Sequence, residues 1–170
     1  WGCNNLEIYN LSGRTVDDTL CLAVGKPDFW VVTEDTPVNK RGIGDIYNID
    51  IHDLFINSTA YHPIVFLGGD GNKIHDIIMD DWTVFACTFL LYFGLTGYYD
   101  VAPTKDEVFN ITANNITINA ASTSNQVIQI KENCKDITFT NITNNTGKTL
   151  VGVTAMDIDN VVINGTDYSN

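Results

Sequence analysis

The chain is poor in positive charge. Nine Lys and Arg face 21 Asp and Glu, a net charge of -12. Phosphate backbones and anionic bilayers need clustered cations, so nucleic acid and membrane surface are disfavoured as partners. Long apolar runs are also missing. The longest, Trp82 to Leu95, has 14 residues and is interrupted by Thr83 and Thr88, too short to span a bilayer as a helix. Prolines number four and methionines two. There is no phosphate-binding Gly-rich loop ending in Lys-Ser/Thr, no Cys-x-x-Cys, no His-Glu-x-x-His and no serine elbow, so the common nucleotide, zinc and serine-hydrolase signatures are excluded. A Gly68-Gly69-Asp70-Gly71 run carries one acid, too few ligands for calcium, and reads as a turn. No metal or other cofactor is called for.

What is present is a globular composition, 44% hydrophobic and 18% charged, over 170 residues, enough for one domain across 1–170. The chain begins at Trp1 and enters a strand pattern at once, which predicts a piece of a longer protein. Four cysteines are spread over the repeats at positions that stacked strands would hold apart, so all four are expected as buried thiols, made in a reducing cytosol.

The organising feature is a repeat. Asn5-Leu6-Glu7-Ile8 returns as Asn48-Ile49-Asp50-Ile51, Asp76-Ile77-Ile78-Met79, Asn115-Ile116-Thr117-Ile118, Asp136-Ile137-Thr138-Phe139 and Asn160-Val161-Val162-Ile163, at spacings of 43, 28, 39, 21 and 24. Short strands at such a period indicate a solenoid. The strands are Ile-, Val- and Thr-rich, with Asn, Asp and Gly between them. The fold expected is all-β, a right-handed parallel β-helix of about six coils with two inserted loops; handedness follows the general crossover rule. Second strands are expected at Thr19–Val24, Pro63–Leu67, Thr88–Phe93, Val127–Ile130 and Thr149–Val153. The 88–93 strand is apolar on both faces, so its outer face needs a cover, from the second insertion or from another chain.

The insertions span about Gly25 to Ile43 and Gly94 to Phe109. They should flank layer two as walls. Trp30, Tyr98 and Tyr99 on them, with Tyr61 between, are the candidate sugar contacts, and they serve equally to pack their own loops. Seven Asn-x-Ser/Thr sequons, at Asn10, Asn57, Asn110, Asn115, Asn141, Asn144 and Asn164, follow from a repeat that ends turns in Asn and resumes in Thr.

Asp17 and Asp18 open the second strand of layer one. Adjacent carboxylates repel unless a ligand, cation or shared proton relieves them, and acid–base chemistry exploits such pairs. A solvated turn is the plain alternative. His62, counted from the repeat, falls one residue past the position equivalent to Asp18, about 5–8 Å away through layer stacking. Asp17, Asp18 and His62 are therefore the candidate catalytic group.

The block from Gly2 to Val24, with Asp17-Asp18-Thr19-Leu20-Cys21-Leu22-Ala23, resembles the polygalacturonase family of β-helical glycoside hydrolases, and the related spikes of tailed phages. Tyr61-His62-Pro63 through Gly68-Gly69 stands where that family has a histidine motif. The resemblance covers residues 1 to 75. It implies hydrolysis of a cell-wall or other polysaccharide, with one of Asp17 and Asp18 as general acid, the other positioning water, and His62 tuning the acid or holding sugar. It implies an extracellular or virion-surface location. Val16 stands in place of the family's glycine, and Leu90-Leu91-Tyr92-Phe93 in place of its cationic clamp. The competing expectation is a non-catalytic, glycan-binding or structural β-helix of a homotrimeric fibre.

Overall fold

The computed structural model describes residues 2–24, 44–58, 61–87, 90–94, 101–120 and 125–170. Trp30, Tyr98 and Tyr99 lie outside them, as does the whole first insertion. All regular elements described are strands: β1 (Cys3–Tyr9), β2 (Ser12–Thr15), β3 (Leu20–Ala23), β4 (Ile46–Ser58), β5 (Ile64–Leu67), β6 (Ile74–Ala86), β7 (Leu91–Phe93), β8 (Val108–Ile118), β9 (Gln126–Ile130), β10 (Cys134–Asn144), β11 (Thr149–Val153), β12 (Ile158–Ile163) and β13 (Thr166–Asp167). They form two sheets. Sheet A has the order β1-β4-β6-β8-β10-β12-β13, with β2 also on β4; sheet B runs β11-β9-β7-β5-β3. Every pairing is parallel except β12 with β13. From β4 to β12 the chain alternates between the sheets, so each pass makes one layer, as in a β-helix-like solenoid.

The first strands of each layer are longer than the repeat suggests, and they bend. β4 and β6 have 13 residues each, β8 and β10 have 11. Each is kinked twice by an Asn or Asp in the left-handed region. The corner pairs are Asn5/Asn10, Asn48/Asp53, Asp76/Asp81, Asn110/Asn115 and Asp136/Asn141, all with φ between 52° and 60°. Asn and Asp tolerate this conformation because their short polar side chains bond locally; a β-branched residue there would be strained. The corners stack as two ladders. In the first, Asn48 donates to Asn5 Oδ1 at 2.5 Å, Asn110 to Asp76 and Asn160 to Asp136 Oδ1 at 2.7 Å. In the second, Asn115 donates to Asp81 Oδ1 at 3.1 Å and Asn141 to Asn115 Oδ1 at 3.2 Å.

This register corrects the repeat. Asp76 aligns with Asn110, not Asn115, because Ile77 pairs with Ile111 and Ile111 with Ile137. The spacings along the first ladder are 43, 28, 34, 26 and 24. Asn115 belongs to the second corner, and its Asn-Ile-Thr-Ile resembles a first-corner segment because both corners precede an inward aliphatic residue. Five of the seven sequon asparagines, Asn10, Asn110, Asn115, Asn141 and Asn164, hold positive φ, so most sequons do arise at bends of the repeat.

Inside, the aligned positions form apolar ladders: Ile49-Ile77-Ile111-Ile137-Val161, Ile51-Met79-Ala113-Phe139-Ile163 and Leu54-Trp82-Ile116-Ile142. Ala113 beside Phe139 matches a small side chain to a large one. Phe66 and Phe93 stack at 4.8 Å across sheet B. On β5, Val65 and Leu67 lie outside the core cluster yet are 2% and 3% exposed, so the outer face of sheet B is covered there. The 101–107 segment crosses the layers: Val101 N–H donates to Asp70 Oδ1 at 2.8 Å, and Lys105 pairs with Asp157 at 3.2 Å. Asp70 is thus the turn residue expected, with φ 57°.

The two ends differ. At the C-terminal end β13 folds back antiparallel on β12, and Tyr168 N–H and Asn170 N–H donate to Val161 and Ile158 carbonyls at 2.8 and 3.1 Å. That edge is blunted without a helix. At the other end the inward face of β1 is half uncovered: Leu6 is 43% exposed, whereas Ile49 paired with it is 2% exposed. The alternation in β1 is only partly as read: Ile8 is half-buried, but Leu6 is exposed.

None of the four cysteines forms a disulfide, but they are not all buried. Cys87 and Cys134 are buried, and burial pushes each thiol up to about 12. Cys21 is exposed and Cys3 intermediate, both belonging to the first layer. The Cys21 thiol is raised to about 11, by partial desolvation first and then by the charges of Asp18 and Asp17.

Candidate functional site

Sheet B decides where Asp18 and His62 meet. Leu20 pairs with Ile64 and Ala23 with Leu67, an offset of 44. Asp18 and His62 are therefore at equivalent positions. Sheet A has an offset of 43 between the same layers, so layer two holds one more residue in its turn. That extra residue is the one by which the sequence count missed exact register.

The contact is direct. His62 Nδ1 lies 2.7 Å from Asp18 Oδ1, and the His62 backbone N–H donates to the same oxygen at 3.1 Å. Asp18 N–H donates to Asp17 Oδ1 at 2.8 Å, so Asp17 caps the turn that carries Asp18. Below it Thr19 N–H donates to the His62 carbonyl at 2.9 Å, which locks the two layers together. Thr15 Oγ1 and Thr19 Oγ1 close the loop at 3.1 Å. His62 is 6% exposed, Asp18 is half-buried and Asp17 is exposed. Tyr61 is 51% exposed, its ring edge-on to His62 at 5.9 Å.

Chemically this is a carboxylate holding an imidazole by Nδ1. The arrangement sets the ring orientation, since the bond at Nδ1 fixes which edge of the imidazole faces the carboxylate. Asp18 Oδ1 is spent on His62; Oδ2 takes no part in those bonds. Asp17 offers a second carboxylate on the solvent side. Of the candidate group, the structure brings Asp17, Asp18, His62 and Tyr61 together, while Trp30, Tyr98 and Tyr99 lie outside the described residues.

A second cluster escaped the sequence reading. On the outer face of sheet A, Glu7 pairs with Asp50, and Tyr9, His52 and Asp80 align across three layers. His52 Nδ1 lies 2.8 Å from Asp53 Oδ2, its Nε2 lies 3.3 Å from Glu7 Oε1, and its ring stacks on Tyr9 at 5.4 Å. The bond to Asp53, then that to Glu7, raises the His52 pKa above its ordinary value. Asp80 is also raised, by desolvation first and then by Asp81 and Asp50. The signal was available: Glu7/Tyr9 and Asp50/His52 are the outward residues of strands already aligned by their asparagines.

The His52 shift has a consequence. A raised imidazole pKa contributes stability that is full below the unfolded value near 6.5 and fades as pH rises through the folded value. NMR titration is expected to place His52 above 6.5, and Glu7→Gln to lower it. An identical titration in the Glu7→Gln variant would remove the pair.

Among the described residues no three His, Cys, Asp or Glu side chains are gathered as a metal ion would require. Compared with protein-family models, curated proteins and solved structures, the chain matches none.

Proposed function

We propose that the chain is a right-handed parallel β-helix domain that cleaves a cell-surface or plant-type polysaccharide, using Asp17, Asp18 and His62 for acid–base catalysis. The observation that carries this reading is the 2.7 Å contact between Asp18 and His62, side chains 44 residues apart, with a second carboxylate on the adjacent residue. Asp18 and His62 act as one acid–base unit. The carboxylate positions the imidazole, and a proton held between them is delivered toward the glycosidic oxygen as the bond to carbon breaks. Asp17 accepts a proton from the attacking water. Tyr61, exposed beside the imidazole, supplies a face for a sugar ring. The resemblance of residues 1 to 75 to the polygalacturonases supports the same roles. A polysaccharide substrate places the domain outside the cell or on a virion surface, with no cofactor.

A second reading is a binding or structural β-helix of a homotrimeric fibre. It is favoured by the use of Asp18 Oδ1 to hold the His62 backbone N–H, a bond that serves the fold whether or not chemistry follows. The two readings separate in one experiment. Reducing-end release is followed on a panel of bacterial and plant polysaccharides with wild type and Asp17→Asn. Cleavage that falls in the variant supports catalysis. Retention of polysaccharide without any cleavage, together with a trimer by light scattering, supports the fibre.

A further inference from the structure

A cleft of about 500 Å3 opens on the outer face formed by β2 and the second halves of β4 and β6, lined by Ser12, Gly13, Arg14, Phe55, Asn57 and Phe85. It is separate from the Asp18–His62 contact, and its size is that of a small-molecule site. Three features of its lining are otherwise unexplained.

The first is a β-bulge. Ile56 pairs with Val84, but Asn57 pairs with Ala86, so Phe85 is an extra residue on β6. Bulges re-aim side chains at the cost of local ladder bonds. Here the product is two outward phenylalanines, Phe55 at 53% and Phe85 at 42% exposure, with ring centroids 4.5 Å apart and planes tilted by 56°. The tilted pair forms a notch into which a third flat ring fits, by the edge-to-face preference of aromatic groups. The second is Arg14, an exposed guanidinium in a chain of net charge -12 that pairs with no carboxylate among the described residues. Guanidinium groups match carboxylates in a bidentate geometry. The third is the Asn57 side-chain oxygen, which is buried and accepts no hydrogen bond. A buried acceptor without a donor is costly, and a turn of the side chain that opened it to the cleft would let a ligand hydroxyl satisfy it.

We propose that this cleft binds a hydroxylated aromatic carboxylate, with the ring between Phe55 and Phe85, the carboxylate on Arg14 and the hydroxyl donating to Asn57 Oδ1. A sugar ring fits less well. The cleft offers one cation and one orphan acceptor against two phenylalanines, so most sugar hydroxyls would be desolvated without partners. The inference stands apart from the glycan reading and does not depend on it.

The test is calorimetric titration of the 170-residue chain with 4-hydroxybenzoate, alongside 4-hydroxybenzyl alcohol and glucuronate. Saturable binding of 4-hydroxybenzoate is expected. Arg14→Gln should weaken it at least about tenfold, the loss of one charge-assisted contact. Phe85→Ala should weaken it together with the uncharged alcohol. Amide NMR spectra of each variant establish that the fold is kept, and wild-type shifts should centre on residues 12–14, 55–57 and 85. Absence of saturable binding, equal affinity in Arg14→Gln, or preference for glucuronate would overturn the proposal.

Discussion

Trp82→Ala is expected to destabilise the chain by about 3–5 kcal/mol, the usual cost of removing a large aromatic from a packed core. Trp82 is 1% exposed and sits in the inward ladder between Leu54 and Ile116. Its Nε1–H donates to the Ile51 carbonyl at 3.0 Å, one layer up. Truncation removes dispersion contacts with two neighbouring layers and takes a donor from a buried carbonyl. Neither loss can be relaxed cheaply, because both neighbouring strands are fixed by their own ladder bonds. For a chain of this size each kcal/mol is worth about 2–4 °C, so thermal unfolding by circular dichroism should shift down by roughly 6–20 °C. Trp82→Phe keeps a six-membered ring but loses the pyrrole half together with the hydrogen bond, so a smaller cost than for alanine, about 2–3 kcal/mol, is expected. If alanine cost no more than phenylalanine, Trp82 would not be filling the space between the layers.

The second large effect concerns Asp18. On a polysaccharide that the wild type cleaves, Asp18→Asn should lower kcat by about 100- to 10,000-fold, the range for loss of a positioned acid–base group. Asparagine can keep an oxygen for the His62 backbone N–H, so the turn should survive. It cannot carry the negative charge that stands beside the imidazole. The split between kcat and KM is the discriminating readout: a purely structural role would leave both in place once the fold is shown intact, while a catalytic Asp18–His62 unit predicts a loss in kcat with KM kept. His62→Gln should cost a similar factor without adding to that of Asp18→Asn, since groups that act as one unit are not additive. Full turnover in Asp18→Asn would end the catalytic assignment and leave the bond as a clamp between layers.

Much of this was legible in the sequence, for reasons that can be named. Strand identity was legible because Ile, Val and Thr sit between Asn, Asp and Gly, and only those last residues bend a strand through the left-handed region without strain. The Asp18–His62 contact was legible because a parallel stack makes distant positions neighbours whenever their offset equals the layer length. The one-residue error came from the turn before β5, which is longer in layer two than in layer one. Asn115 was misplaced because each layer has two corners five residues apart, Asn110 and Asn115 in that layer, and both carry the same Asn-Ile-Thr pattern. The closing of the C-terminal edge by Thr166–Asp167 was not legible, since so short a strand has no periodicity. The outer cluster of Glu7, Asp50, His52 and Asp80 was within reach, since the spacings of 43 and 28 already aligned these three layers, but it shows only when the outward residues are compared across them.

Parallel stacking puts the Asp18 layer directly on the His62 layer, and inter-strand backbone NOEs test it most directly. The expected contacts join Leu20 to Ile64, Cys21 to Val65, Leu22 to Phe66 and Ala23 to Leu67, pairs that keep a constant difference of 44. Contacts whose residue numbers instead keep a constant sum, the mark of antiparallel pairing, would contradict the fold and the proposed site together.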